Sequence, residues 1–262
     1  MTMTLALKDF SLDYFSLAGK VAIVTGGNTG LGQGYAVALA KAGADLFVVT
    51  HGTNWEETRE LIEATGRNVE FFQADLSKRD NIRNLVEECV KRYGKIDILV
   101  NNAGTIRRAP LLEYKEEDWD AVMDLNLNSV YYLSQLVARV MVEQKSGKII
   151  NIASMLSYQG GKFVPPYTTS KHGIAGLTKA FANELAEHGI QINAIAPGYV
   201  ETKNTAPIRE NEQRYAEITG RIPAARWGTP ADFMGVVVFL ASKASDYMNG
   251  HTIAVDGGWL AR

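Results

Sequence analysis

The sequence predicts an α/β fold: a single domain built on a doubly wound parallel sheet of about seven strands, with helices on both faces. Three observations predict it. Short apolar runs alternate with helical segments of a dozen residues or more, no linker divides the 262-residue chain, and a glycine-rich turn follows the first apolar run. Strands that alternate with helices of this length need right-handed crossovers, which make the strands parallel and cover both faces of the sheet.

The first half of the chain supplies four of the strands. Branched apolar residues predict buried parallel strands at 20–24, 45–50, 69–74 and 96–100. Helices are predicted at 33–42, at 54–65 and from 77 onward. The second and third helices are predicted to begin at Asn54 and Ser77, because each is followed three residues later by an acidic residue, the spacing of a helix cap.

The second half continues the alternation. Strands are predicted at 148–153, 191–196 and 251–255, and helices at 116–144, at 167–188 and from Thr229-Pro230 to 241. Between the last two strands, the polar segment 199–228 is broken by prolines and a glycine. It is predicted to be a lid over substrate, with a plain surface excursion as the alternative. Residues 1–16 are expected to form an N-terminal arm, and residues 17–262 the domain.

Composition narrows the function classes. The 46% hydrophobic content and 21% charge are those of an ordinary globular protein, and a net charge of −2 gives no reason to expect a nucleic-acid or membrane partner. A single cysteine, Cys89, rules out an intramolecular disulfide. The N-terminus lacks the pattern of a signal peptide, so a cytoplasmic location is expected. The four histidines lack metal-ligand spacing, so no metal is expected.

The turn at residues 25–32 carries the first functional hypothesis. Gly26, Gly30 and Gly32 leave no side chain where the backbone must bend and approach a ligand, and the helix that follows presents unpaired N–H groups. A dinucleotide site in a Rossmann-type domain is the natural interpretation. The spacing departs from the usual G-x-G-x-x-G pattern, and a mere tight turn is the alternative.

Residues that follow the other strands are the next candidates, since ligands bind beyond the carboxyl ends of parallel strands. Asp75-Leu76 offers an acceptor for an adenine amino group, or only a turn cap. Asn102-Ala103-Gly104 permits close approach to a ligand, or only forms a tight turn. Asn126, inside a predicted helix, has either a specific task or an exposed position.

The sharpest candidate is Ser154, at the end of a strand, followed by Tyr167 and Lys171. Four residues make one helical turn, so the phenol and the ammonium can lie on one face. A tyrosine acts as a base near neutral pH only if its pKa, normally about 10, is lowered, and a cation does so. Two other tyrosine–lysine pairs share the spacing, but only this pair follows a helix-start signal. A surface tyrosine and lysine remain the alternative.

These motifs occur together and in order, and the chain from Leu17 onward resembles the short-chain dehydrogenase/reductase family. The resemblance implies that Tyr167 is the general acid/base, that Lys171 lowers its pKa and holds the nicotinamide ribose, and that Ser154 bonds the reacting oxygen. Asn126 would belong to a proton relay. The implied cofactor contacts are Gly26, Asn28, Gly30, Leu31, Gly32, Thr50, Asp75, Leu76, Asn102, Ala103, Gly104, Tyr167, Lys171, Pro197, Gly198, Val200 and Thr202.

Cofactor and substrate class follow from neighbouring residues. After the second strand stand Thr50 and His51, neither the acid that binds the NAD ribose nor the arginine that accepts the NADP phosphate. The neutral glycine turn favours NAD, with NADP possible. Arginines after the fourth strand suit a carboxylate, and several segments are similar to sugar-acid dehydrogenases of the family. The expected substrate contacts are Arg108, Gln159 and Arg226.

The resemblance also implies a homotetramer. Two alternatives stay open: another sugar or polyol dehydrogenase of the same family, and a non-catalytic NAD-sensing protein.

Overall fold

A computed structural model describes residues 10–262, so residues 1–9 of the expected N-terminal arm lie outside the described residues. Seven parallel strands form one sheet in the order β3-β2-β1-β4-β5-β6-β7, which confirms the predicted fold class. The strands are β1 Val21–Thr25, β2 Asp45–Thr50, β3 Val69–Gln73, β4 Ile98–Asn101, β5 Gly147–Ile152, β6 Ile190–Pro197 and β7 Thr252–Val255. The strand order reverses direction between β1 and β4, so the loops after these two strands are neighbours.

Helices cover both faces of the sheet. The helices of eight residues or more are α1 Gly30–Lys41, α2 Glu56–Glu63, α3 Arg79–Tyr93, α4 Glu116–Met123, α5 Ser129–Gln144, α6 Pro165–Leu185, α8 Glu212–Arg221 and α9 Met234–Ala241, and α7 is the single turn Ala206–Arg209. None of the helices within residues 10–262 combines the length and apolar character needed to cross a bilayer.

The central strands are buried on both faces, as their branched apolar sequences predict. Alternate side chains of β1 contribute to two cores: Ala22 and Val24 pack under α1 and α9, and Ile23 packs under α3 and α5. Each core side chain loses its contact with water, which stabilises the sheet by roughly 25 cal/mol per Å² of apolar surface. The rigid sheet therefore fixes the positions of the loops at its carboxyl edge.

Three local predictions are wrong. Asn54 does not cap α2: its carbonyl oxygen and its side-chain oxygen accept hydrogen bonds from the Asn28 amide at 3.3 and 3.0 Å. Ser77 does not cap α3, because its hydroxyl donates to Asp75 at 2.7 Å. The continuous helix expected at 116–144 is interrupted by a π-helical turn at Asp124–Asn128. Asn54 is engaged by a contact distant in sequence, Ser77 by a turn two residues away, and the long helix changes its pitch locally.

The segment 199–228 leaves the sheet and returns to the same point. A bridge joins Val200 to Gly228, and the backbone N–H of Gly228 donates to the carbonyl of Tyr199 at 2.9 Å. Between these anchors lie α7 and α8. The segment is thus a closed excursion at the carboxyl edge of the sheet, on the side of β6.

Candidate active site

One large cleft of about 1640 Å³ runs along the carboxyl edge of the sheet. Every residue expected to contact a cofactor lines it, although these residues come from the segments after β1, β2, β3, β4 and β6 and from helix α6. We call the part formed by the loops after β1, β2, β3 and β4 the cofactor end. We call the part formed by Arg108, Gln159, Tyr199, Arg214, Arg221 and Trp259 the substrate end.

The glycine turn at the cofactor end fits a pyrophosphate. Gly26 and Gly30 have φ angles of +63° and +55°, which side chains rarely adopt. A Cβ at Gly32 would overlap the carbonyl oxygen of Gly26. Thr29, the residue before α1, makes no side-chain bond to the first N–H groups of the helix. These groups and the helix dipole therefore face the cleft, as an anionic ligand requires.

The loop after β4 holds the glycine turn in place. The Thr25 hydroxyl accepts the backbone N–H groups of Asn102 and Ala103, both at 2.9 Å. The Asn102 amide donates to the carbonyls of Thr25 and Gly26 at 2.9 and 3.2 Å. Asn102 was expected to contact a ribose. The structure shows it fastening two neighbouring loops together at the switch point of the sheet.

After β2 and β3, polar side chains that line the cleft are engaged by neighbouring groups of the chain. The buried Thr50 hydroxyl donates to the carbonyl of Gly52 at 2.7 Å, so only the remainder of this residue faces a ligand. Asp75 caps its own turn by accepting from the N–H and the hydroxyl of Ser77, and these bonds lower the pKa of its carboxyl. The turn-cap alternative for Asp75 is therefore observed, and the residue still lines the cleft.

The structure brings Ser154, Tyr167 and Lys171 together in the middle of the cleft. Ser154 stands two residues after the end of β5, and its oxygen accepts the Leu156 N–H at 3.1 Å. Tyr167 stands in the first turn of α6, which begins at Pro165 as the proline pair predicts. The Ser154 hydroxyl lies beside the Tyr167 phenol and lowers its pKa, but burial raises that pKa more strongly.

Lys171 is buried one turn further along α6. Its ammonium donates to the carbonyl of Ile152 at 2.5 Å and lies 5.6 Å from the centre of the Tyr167 ring. Burial lowers the pKa of Lys171 to about 8. Burial has the largest influence on the phenol pKa of Tyr167 and raises it, while the Ser154 hydroxyl and the positive charge of Arg108 lower it. The role of Lys171 in lowering that pKa stays a prediction.

Asn126 occupies the π-helical turn and is buried, so the exposed alternative is wrong. Its side chain accepts the Thr105 N–H at 2.8 Å and donates to the Thr105 carbonyl at 2.9 Å. The same amide donates to Ser170 at 3.3 Å. Asn126 is not among the residues that line the cleft within the described part of the chain. It ties the loop after β4 to α6, and π turns of this kind are frequent near functional sites.

Ser157 was not predicted from the sequence to belong to the site. Its hydroxyl donates to the backbone carbonyl of Lys171 at 2.6 Å, and its oxygen accepts the Ser154 N–H at 3.3 Å. It thus joins the serine loop to the helix of the tyrosine and lysine. The capping spacing between Ser154 and Ser157 was visible in the sequence, but the bond to α6 depends on tertiary contact.

Of the three residues expected to contact substrate, two line the cleft and one does not. Arg108 and Gln159 line the substrate end. Arg226 is absent from the cleft lining within residues 10–262, and its guanidinium is held by both carboxylate oxygens of Asp232 at 2.9 and 2.7 Å, so the geometry does not support it as a substrate contact. Arg107 is likewise engaged, since its Nε lies 3.4 Å from Asp118.

The cleft combines a glycine turn that fits a dinucleotide with a serine, a tyrosine and a lysine, which is the arrangement of an oxidoreductase site. The chain belongs to the short-chain dehydrogenase/reductase family. The matching family model, described as enoyl-(acyl carrier protein) reductase, covers residues 26–260. The resemblance that the motifs carried is therefore confirmed.

Individual relatives share most of the chain. It is 58% identical over 255 residues to 2-dehydro-3-deoxy-D-gluconate 5-dehydrogenase of Escherichia coli, with 96% of this chain and 99% of that protein covered. The enzyme of the same name from Bacillus subtilis is 55% identical over 250 residues, with 95% and 98% covered. A crystal structure of gluconate 5-dehydrogenase from Burkholderia cenocepacia with NADP and tartrate matches with a TM-score of 0.92 and 37% identity, covering 97% of this chain and 100% of that one.

Proposed function

We propose that this protein interconverts 2-dehydro-3-deoxy-D-gluconate and 2,5-diketo-3-deoxygluconate, with NAD(H) as the hydride carrier. The observation that carries the proposal is the convergence of Ser154, Tyr167 and Lys171 beside Arg108 in one cleft. The first three suit proton transfer at an alcohol or ketone, and the fourth supplies positive charge for an acid group. This reaction would serve uronate catabolism.

Each side chain has a role that its position supports. The nicotinamide supplies or accepts the hydride when it is bound. In the direction of ketone reduction, negative charge develops on the carbonyl oxygen, and the Ser154 hydroxyl donates a hydrogen bond to it. The Tyr167 phenol gives its proton to the same oxygen, and in alcohol oxidation it takes that proton back. Lys171 holds the cofactor ribose, and Asn126 keeps the adjoining loop and helix in register as part of the proton relay.

The substrate class rests on charge. Arg108 makes no hydrogen bond or ion pair with another residue in 10–262, and its charge acts on the phenol of Tyr167. Within the same range, the acidic residues that line the cleft are Asp75 and Asp124, and Asp75 is engaged by Ser77. A cleft with this balance favours an anion such as a sugar acid, with Gln159 available to a hydroxyl group. The two relatives named for the keto-deoxy acid support this choice.

A second candidate is gluconate 5-dehydrogenase activity, which the Burkholderia cenocepacia structure supports. A third, of another class, is NAD sensing without turnover. The retained tyrosine and lysine argue against the third candidate.

NAD(H) is the proposed cofactor, and NADP(H) is the alternative. No arginine lines the cleft at the end of β2 within the described residues, and Asn28 in the glycine turn is neutral. Against this, His51 and Lys78 line the same end, and the Burkholderia cenocepacia enzyme was crystallised with NADP. Separate titrations with NADH and NADPH distinguish the two, and a clear preference for NADPH would contradict the proposal.

The remaining proposals concern setting and assembly. The protein is cytoplasmic, and the segment 199–228 serves as a lid over the substrate end. The chain forms a homotetramer through α5, α6 and the edge strand β7. An exposed aromatic side chain on α5 supports an interface there: Tyr131 is 37% exposed. Analytical ultracentrifugation tests the tetramer.

The function is tested by nicotinamide absorbance with a panel of substrates. The panel contains 2-dehydro-3-deoxy-D-gluconate, gluconate and glucose, each with NAD and NADP. We expect the highest kcat/KM with the keto-deoxy acid and NAD. A preference for gluconate would select the second candidate. Binding of NADH without turnover of any sugar acid in the panel would select the sensing function.

A further inference from the structure

The substrate end contains a clamped tyrosine that the catalytic site does not use. The ring of Tyr199 lies between two tryptophans, with centroid distances of 5.1 Å to Trp227 and 5.0 Å to Trp259. Tyr215 stacks on the outer side of Trp227 at 5.4 Å. These rings pack into one apolar cluster with Ile218. The clamp fixes the Tyr199 ring, and its hydroxyl makes no hydrogen bond to any residue in 10–262.

Three arginines line the cleft together with this tyrosine. Burial raises the pKa of the Tyr199 hydroxyl, and the charges of Arg214, Arg221 and Arg108 oppose that shift. All three arginines line the cleft. They come from segments far apart in the sequence, the loop after β4 and the helix α8 of the lid. Such convergence of like charges repels, and an anion bound among them relieves the repulsion.

The three arginines differ in how far they are already neutralised. Arg214 lies 3.1 Å from Glu217 on the same helix. Arg221 has no carboxylate within ion-pair distance among the described residues, and its guanidinium stacks 4.2 Å from the centre of the Trp259 ring. Stacking occupies the face of the guanidinium and leaves the N–H groups in its plane able to bind a carboxylate. Arg108 is uncompensated too, so two guanidinium groups and one hydroxyl are available.

We infer that Tyr199, Arg221 and Arg108 together hold the carboxylate of the substrate, and that this site selects sugar acids over neutral sugars. The inference rests on the proposed function and adds Tyr199 and Arg221 as specificity-determining residues. Arg108, Tyr167 and Tyr199 line one cleft. A cleft that holds both the reacting centre and the aromatic clamp suits a substrate whose acid group is several bonds from the reacting carbon. Since Arg221 ends α8, binding of the acid group also holds the lid.

The test compares an acid with its neutral counterpart. Tyr199→Phe keeps the clamped ring and removes only the hydroxyl, and Arg221→Gln keeps a planar polar group without the charge. For both variants we measure kcat and KM with 2-dehydro-3-deoxy-D-gluconate and with its methyl ester. Loss of one charge-assisted hydrogen bond predicts a KM for the acid that is about 10- to 100-fold higher. The kcat with the acid and the KM for the ester are expected to change less than about 3-fold.

Tyr215→Phe is the matched control, because it removes a hydroxyl from the same cluster at a residue that does not line the cleft. It is expected to change neither KM by more than about 2-fold. Thermal denaturation verifies that each variant is folded. An equal rise in the KM for the acid and in the KM for the ester would overturn the inference, since it would indicate a change in the shape of the lid. An unchanged KM for the acid would overturn it as well.

A separate measurement keeps the inference distinct from the proposed function. If the wild-type protein turns over no sugar acid, the proposed function fails. The carboxylate site is then tested by calorimetric titration of tartrate into the protein loaded with NADH. Tartrate binding that Tyr199→Phe and Arg221→Gln weaken at least 10-fold, while Tyr215→Phe leaves it intact, supports the site. Absence of tartrate binding to the wild-type protein overturns it.

Discussion

The cofactor end of the cleft is built from backbone and small side chains, whereas the substrate end is built from aromatic rings and arginines. At the cofactor end, Gly32 lies against the Gly26 carbonyl, and Thr25 and Asn102 fasten the loops by hydrogen bonds. At the substrate end, Tyr199 is held by ring packing, and charge comes from separate segments. At the cofactor end an added atom at Gly32 would overlap the backbone, whereas at the substrate end single polar groups can be removed without changing the ring packing.

The difference has a physical origin. A phosphate is recognised by N–H groups and a helix dipole, which any sequence supplies once its backbone takes the required path. That path requires glycine at particular positions, so it can be recognised in the sequence as a motif. A carboxylate on a flexible sugar chain is recognised by long side chains that can reach it from many positions. The substrate end is therefore free to differ between members of one family that share the cofactor end.

The largest effect is expected where the two ends meet, at Tyr167. Tyr167→Phe removes the proton donor and acceptor, so kcat should fall by about 10² to 10⁴. The dissociation constant of NADH, measured by fluorescence quenching, should change less than about 3-fold. An equal loss of NADH affinity would mean that Tyr167 belongs to the cofactor end alone. If the variant keeps most of the activity, Tyr167 does not take part in the proton transfer.

The next effect isolates the cofactor end. In Gly32→Ala the new methyl group would overlap the Gly26 carbonyl, and overpacking of this kind costs about 1–3 kcal/mol. We expect the NADH dissociation constant to rise at least about 10-fold, which fluorescence titration measures. Gly235→Ala is the matched control: Gly235 is also helical, and a Cβ there meets nothing within 4 Å. Equal NADH affinity of the two variants would contradict the close-packed construction.

A smaller effect concerns pH and stability at Lys171. Its folded pKa of about 8 lies below the ordinary 10.5, so between these values the unfolded chain binds more protons. The folded state therefore gains stability as pH rises from about 8 toward 10.5, and below 8 it bears the full cost of burying the ammonium. Lys171→Met lacks this titration. The Tm of the variant relative to wild type should fall as pH rises through that range.

Calorimetric scans at pH 7, 8, 9 and 10 measure this difference. Other titrating groups are common to both proteins, so their contributions cancel in the comparison. A Tm difference that is constant across the four pH values would contradict the lowered pKa of Lys171.

The smallest effect on KM is expected at Arg226, which does not belong to the substrate end. Arg226 is held by Asp232 outside the cleft, so Arg226→Gln should leave the KM for the sugar acid within about 2-fold. Asp232→Asn, which breaks the same pair from the other side, should behave alike. Steady-state kinetics measure both. A KM that rises about 10-fold in Arg226→Gln alone would extend the substrate end to this residue.

Prediction from sequence succeeded where a motif records a backbone constraint. The glycine turn, the proline-initiated helix of Tyr167 and the strand ends all appear where they were predicted, to within one or two residues at most boundaries. It failed where another contact of the same side chain, near or far in the sequence, takes the place of the expected one. Asn54 and Ser77 each look suited to capping a helix and are engaged by other groups in the folded chain.

The sheet, the glycine turn and the grouping of a serine, a tyrosine and a lysine could be predicted from the sequence, because apolar periodicity, positive φ angles and one-turn spacing are properties of short stretches of chain. Which arginines line the cleft, which are neutralised, and how Tyr199 packs against two tryptophans depend on the folded chain. The charge of a side chain follows from its residue type and is therefore known from the sequence. Its partner, its burial and hence its availability to a ligand depend on segments that meet only in the folded protein.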